Sequence, residues 1–174
     1  MAIIKATYTK SSGGPKASIR YIEHRPGKDG QKITRTLFGS DGKMERIEAY
    51  RMIDEAAKGS LFFRFVISPD PQKEDTEKDI FLREITEKTM LSLEDRVQQQ
   101  LSWVAVEHTD HAPHRHIHVL AVVPGRLQVP DFQAMRQAAT EASREQRHQR
   151  DLMKEGQHKE QEQRGGQWEQ QLRH

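Results

Sequence analysis

The chain has no cysteine, which excludes a disulfide framework and thiolate-ligated zinc. No apolar run approaches the length needed to span a bilayer. The first residues, Met1-Ala2-Ile3-Ile4-Lys5-Ala6-Thr7-Tyr8, lack the apolar core and cleavage site of a secretory signal. A phosphate-cradling glycine loop is missing too, because Gly13-Gly14 is too short to be one. Hydrophobic residues make up 34% of the chain and aromatics 6%, low for a globular protein. These absences predict a cytoplasmic protein with no membrane insertion and no nucleotide cofactor. A length of 174 residues leaves room for one domain with a real core and a tail.

Charge is nearly balanced overall, at +2, but it is unevenly placed. Met1 to Gly59 carries 12 Lys or Arg against 7 Asp or Glu. A basic, turn-rich N-terminal part suits a polyanion, nucleic acid first. The competing interpretation is a solvated surface.

The apolar pattern predicts strands at Ala2–Thr9, Lys32–Phe38, Leu61–Ser68, Leu101–Glu107 and His114–Val123. It predicts helices at Lys16–His24 (opened by Pro15), Lys43–Lys58, from Thr76 or Asp79 to about Gln100, and from Asp131 onward. The expected fold class is α+β, a mainly antiparallel sheet flanked by helices. Beyond Ser143 the Arg, Glu and Gln content is too high for a core. Two segments are therefore expected: a folded domain over residues 1–140, and a polar helical extension or disordered tail over 141–174.

One segment concentrates chemistry. His108-Thr109-Asp110-His111-Ala112-Pro113-His114-Arg115-His116-Ile117-His118 holds five of the nine histidines, and the buried-strand sequence Val119–Val123 follows it. Alternate side chains on a strand share a face, so His114, His116 and His118 should point the same way. A hairpin would bring His108 to them. Three imidazoles then form a site for a divalent cation with coordination positions left open. Such a site keeps the ion's full charge and favours an anionic ligand such as phosphate. Which three ligate stays open at this point, because His114 can replace His116 or His118. His111 is expected in the turn, and Asp110 either in the turn or as a partner fixing a histidine tautomer.

An anionic substrate raises the question of a nucleophile. Tyr21 lies on the short basic helix Lys16-Ala17-Ser18-Ile19-Arg20-Tyr21-Ile22-Glu23-His24-Arg25, where Ile19 and Ile22 can bury one side and leave the phenol facing a groove. Phenol ionises near pH 10, so it needs a nearby cation or base. Arg20, Arg25 and the ion can supply that field. Tyr8 and Tyr50 lack a comparable basic flank. Lys16, Arg20, Arg25, Lys28, Lys32 and Arg35 are the candidates for contacting a nucleic-acid backbone.

Three blocks together resemble the relaxases, the mobilization nucleases of the HUH endonuclease superfamily. Arg20-Tyr21-Ile22 followed by His24-Arg25 is similar to the tyrosine motif, and Phe65-Val66-Ile67-Ser68-Pro69 to the strand ending in Ser-Pro. Trp103 through Asp110, continued by Pro113-His114-Arg115-His116-Ile117-His118, is similar to the histidine motif. The resemblance runs from about Ile3 to about Leu152. It implies a relaxase-like HUH nuclease domain that nicks and rejoins single-stranded DNA in plasmid mobilization or conjugative transfer. It implies Tyr21 as the nucleophile, a 5′-phosphotyrosine intermediate, and Mg²⁺ or Mn²⁺ held by His108, His116 and His118. Implied partners are single-stranded DNA at a nick site and accessory mobilization proteins contacting the tail. The interval between the first histidine and the histidine pair is often one residue shorter in this family, and aligning on Pro113-His114 would nominate His114 and His116 instead. His116 and His118 are preferred because Val119 onward then continues as the buried strand. The alternatives are a rolling-circle replication initiator or transposase of the same superfamily, a metal-containing DNA-binding module without activity, and a water-activating metallohydrolase in which Tyr21 is inert.

Overall fold

The central sheet is antiparallel throughout, with strand order β1-β4-β6-β5-β2-β3. The structure is a computed structural model that describes residues 1–109 and 114–172, without the side chains of Lys28 and Gln170. Among these residues the elements run β1 (Ile3–Thr9), α1 (Gly13–His24), β2 (Leu37–Gly39), β3 (Gly42–Met44), α2 (Arg46–Asp54), β4 (Leu61–Ser68), α3 (Leu82–Val97), β5 (Ser102–His108), β6 (His116–Val123) and α4 (Val129–Leu172). The fold class is α+β, with helices on both faces of the sheet. No helix among the described residues is long and apolar enough to cross a membrane.

Strand alternation divides the core in two. Phe63, Phe65 and Ile67 of β4, Trp103 and Ala105 of β5, and Ile117, Val119 and Ala121 of β6 pack against Leu82, Ile85, Met90 and Leu93 of α3 and Met135 and Ala139 of α4. The opposite parity, Phe62, Val104, Val106 and Leu120, packs under Ile19 and Ile22 of α1 and Ala49 and Ile53 of α2. Each central strand is therefore apolar on both sides, which explains the continuous runs that make β4 to β6 readable.

Other elements differ from what the pattern predicts. Only Leu37 and Phe38 of the expected strand at Lys32–Phe38 join the sheet, in β2. The backbone N–H of Arg35 instead donates to the carbonyl of Glu23, 3.0 Å away, at the end of α1. The expected helix at Lys43–Lys58 shortens to Arg46–Asp54, because Gly42–Met44 pairs with Leu37–Gly39 as a hairpin. Gly42 closes that turn at φ +102°, a conformation that suits glycine. At Gly39 the reason for glycine is space: a Cβ there would lie 3.0 Å from the Trp103 carbonyl oxygen on β5 and 2.7 Å from the Met44 methyl. Gly39→Ala is expected to cost about 1–3 kcal/mol of stability, the usual range for overpacking, measurable by denaturant unfolding.

α4 is one helix of 44 residues. Ala142, Ser143, Gln146 and Arg147 are buried, so packing continues past residue 140. Arg147 pairs with Asp79 at 2.6 Å, the Arg150 guanidinium lies 4.3 Å from the Phe81 ring centroid, and Lys154 pairs with Glu77. These contacts bind α4 to the loop before α3. Residues 155–169 are exposed on every side.

Candidate metal centre

β5 and β6 pair so that His108 stands opposite His116, and Val106 opposite His118. The three histidines have the same parity as Val104 and Leu120, so they lie on the sheet face that carries α1 and α2. Ring centroids are 4.3 Å apart for His108 and His118, 5.0 Å for His116 and His118, and 5.2 Å for His108 and His116. One ring nitrogen from each lies within 4.8 Å of the others, and the three form a group that can hold a metal ion. His114 is exposed and precedes the strand, outside that group. Asp110, His111, Ala112 and Pro113 lie outside the described residues.

The hydrogen bonds assign the free nitrogens. His108 Nε2 lies 3.3 Å from the carbonyl oxygen of Ile22 on α1. A carbonyl can only accept, so this nitrogen carries the proton and Nδ1 keeps its lone pair. His116 Nδ1–H donates to the His114 carbonyl at 3.4 Å, leaving Nε2. His108 Nδ1 and His118 Nε2 are both buried without a hydrogen-bond partner. Unpartnered buried polar atoms are costly, and two of them pointing into one imidazole cluster fit a cation.

Burial is the first cause holding all three imidazoles neutral. It lowers His108 to about 3, helped by His118, Arg35 and His116. It lowers His118 to about 4, helped by His116, Arg25 and Arg35. His116 is lowered as well, with its bond to the His114 carbonyl opposing. Neutral imidazole is the ligating form. The sign for stability follows from linkage. Between the ordinary value of 6.5 and these depressed values the unfolded chain takes up protons that the folded chain refuses. Stability of the metal-free protein is complete above about pH 6.5 and falls below it, by up to about 1.4 kcal/mol per pH unit for each such histidine. Melting in chelator between pH 7.5 and 5 should show Tm dropping as pH falls through 6.5; a flat profile contradicts the burial of neutral imidazoles.

The remaining candidate residues are placed as follows. Tyr21 is 60% exposed in the last turns of α1, between the buried Ile19 and Ile22. Its chain neighbour Ile22 supplies the carbonyl that meets His108. Tyr8 belongs to the other face, its ring 5.1 Å from Phe63. Tyr50 sits in α2 with its hydroxyl buried and unpartnered, beneath Lys16. Lys16 is held within the α1–α2 pair, 2.6 Å from Asp54. Arg20 and Lys32 are exposed. Arg25 is half-buried and its charge bears on His116 and His118. Arg35 is buried, with its guanidinium donating to the Arg25 carbonyl at 2.5 Å. It braces the end of α1 beside the histidines rather than standing out on the surface. The side chain of Lys28 lies outside the described residues.

Residues to which the sequence pattern gave no individual role complete the surroundings. Val66 of β4 stands opposite His118, so the Ser-Pro block borders the histidines. On the same face Lys5, Thr7 and Arg64 are exposed, with Arg64 donating to Ser18 Oγ on α1 at 3.1 Å. Strand alternation was the available signal for them. Arg115, between His114 and His116, makes two bonds to the buried Asp75 carboxylate, at 2.8 and 2.7 Å, and a third to the Ile80 carbonyl at 2.8 Å. This anchors the entry of β6. Asp75→Ala strands a largely buried guanidinium and should cost about 3–5 kcal/mol. Denaturant titration measures it; a loss below about 1 kcal/mol would show a pair no stronger than an exposed one.

None of the family models, curated proteins or solved structures compared with this chain matches it.

Proposed function

We propose that the protein is a relaxase with an HUH endonuclease-like fold, which nicks single-stranded DNA through Tyr21 and rejoins it, in plasmid mobilization or conjugative transfer. One observation carries this reading: three neutral imidazoles with free nitrogens lie on the face occupied by the tyrosine-bearing helix, and one of them is bonded to that helix. His108 through Nδ1, and His116 and His118 through Nε2, would hold the ion. Of Mg²⁺ and Mn²⁺ the all-nitrogen donor set favours Mn²⁺. When bound, the ion polarises a phosphoryl oxygen and offsets the charge that grows during in-line displacement.

The chain supplies the rest. The Tyr21 oxygen forms a bond to phosphorus as the bond from phosphorus to the 3′ oxygen breaks. The phenolic proton is released, and the departing 3′ oxygen ends as a hydroxyl. The tyrosyl ester retains the bond energy, so reversal by that hydroxyl needs no nucleotide. Arg20 and Arg25 flank Tyr21 and would bind the phosphates on either side of the break. Lys5 and Arg64, exposed on the same sheet face, extend a basic track for the strand, while Arg35 holds the end of α1 in place.

The test is a labelled single-stranded oligonucleotide library incubated with the protein in Mn²⁺ or in chelator. A covalent protein–DNA band in Mn²⁺ alone supports the proposal. Cleavage that leaves a free 5′-phosphate and no band favours metal-activated water; retention of DNA without cleavage favours a binding module.

A further inference from the structure

We infer that His108 meets the cation through Nδ1 while its Nε2–H ties the tyrosine-bearing helix to the same ring, so that filling the metal site fixes the position of α1. The inference rests on the cation reading of this site and adds to it a mechanical link. Two observations carry it. His108 Nε2 lies 3.3 Å from the Ile22 carbonyl, one residue along the chain from Tyr21. The ring's other nitrogen is buried without a hydrogen-bond partner in the protein, and the residue is 1% exposed.

Without an ion, a neutral imidazole can hold its proton on either nitrogen. With the proton on Nδ1, the ring cannot donate to Ile22 and the tie is lost. A cation on Nδ1 removes that option and keeps the proton on Nε2. Metal and helix are then coupled through one ring, and by reciprocity a well-seated α1 raises metal affinity. Other ties to the end of α1, from the Arg35 backbone N–H to the Glu23 carbonyl at 3.0 Å, from the Arg35 guanidinium to the Arg25 carbonyl, and from Arg46 Nε to the Glu23 carboxylate at 3.0 Å, leave the Ile22 carbonyl to His108. His108 is in this sense a positioning residue as well as a ligand.

Asparagine places its amide atoms near the Nδ1 position of histidine and glutamine near Nε2, so two variants of the full chain separate the roles. His108→Asn keeps a ligand atom and loses the tie; His108→Gln keeps the tie and loses the ligand. Calorimetric titration with Mn²⁺ should show His108→Asn weakened about tenfold, the loss typical of removing an outer partner, and His108→Gln without measurable binding. Amide hydrogen exchange should slow in α1 of the unsubstituted protein by about fivefold or more on adding Mn²⁺, an ordinary coupling between sites. In His108→Asn the ion should bind without that slowing. His108→Gln binding Mn²⁺ as tightly as His108→Asn, or α1 exchange indifferent to Mn²⁺ in the unsubstituted protein, overturns the inference. Should either variant fail to fold, ¹⁵N spectra of the unsubstituted protein without and with Zn²⁺, a diamagnetic imidazole-binding ion, decide: a His108 ring that moves from partial Nδ1 protonation to Nε2–H alone on adding the ion supports the link, and a ring whose proton distribution the ion leaves unchanged overturns it. No DNA enters these measurements. A Tyr21 inert toward DNA would leave the link standing, and a missing link would leave DNA cleavage by Tyr21 standing.

Discussion

Tyr21→Phe should abolish covalent DNA capture, with strand cleavage falling on the order of 10⁴-fold or more, as when the nucleophile is removed from other covalent enzymes. The ring stays and only the hydroxyl goes, so packing between Ile19 and Ile22 is undisturbed. At 60% exposure the substitution should leave the unfolding midpoint within the small range of surface changes. DNA retention in a filter or gel-shift assay should also persist, because basic side chains and not the phenol hold the phosphates. Tyr8→Phe and Tyr50→Phe are the controls. Tyr8 lies on the opposite face and Tyr50 is under Lys16, so both should cleave normally. Cleavage that survives in Tyr21→Phe would assign the attack to water.

His118→Ala should have the second large effect. Among the described residues the group that can hold the ion consists of three histidines, with no carboxylate to take over. Losing one should weaken Mn²⁺ binding by well over about 100-fold, the upper end of what an outer partner is worth. Nicking should fall with it and recover only in part at high Mn²⁺. His114→Ala is the informative comparison. If the motif were read one step earlier, His114 would ligate and His118 would not. The structure puts His114 outside the cluster, exposed in the turn, and predicts no change in Mn²⁺ affinity for His114→Ala. Equal losses in the two variants would return His114 to the ligand set.

The central strands were legible because β4, β5 and β6 are buried on both sides, which writes long apolar runs into the sequence. The histidine convergence was legible for a related reason: a short connection between adjacent strands forces a hairpin, and alternation then fixes which side chains share a face. What escaped depends on partners distant in sequence. Arg35 has the composition of a surface residue, yet the Arg25 carbonyl draws it beneath α1. A separate bond, from the Arg35 backbone N–H to the Glu23 carbonyl, holds residues 32–36 to the end of α1 and off the sheet, beside the β2–β3 hairpin. Arg115 and Asp75 are 40 positions apart, with nothing local to mark Asp75 as buried. In α4 the polar composition beyond Ser143 pointed to a helical extension or a tail without a core; Arg147 and Arg150 reach back to Asp79 and Phe81, so long side chains extend the docking where apolar residues run out. The nitrogen choice at His108 depends on a carbonyl from another element and leaves no trace in residue spacing.

The most direct test locates the DNA end. A reaction in Mn²⁺ with the selected oligonucleotide, trimmed by nuclease and digested with protease, should give a peptide from α1 carrying a nucleotide mass, with fragmentation placing that mass on Tyr21. The mass on any other residue, or cleaved DNA with no modified peptide at all, would contradict the account.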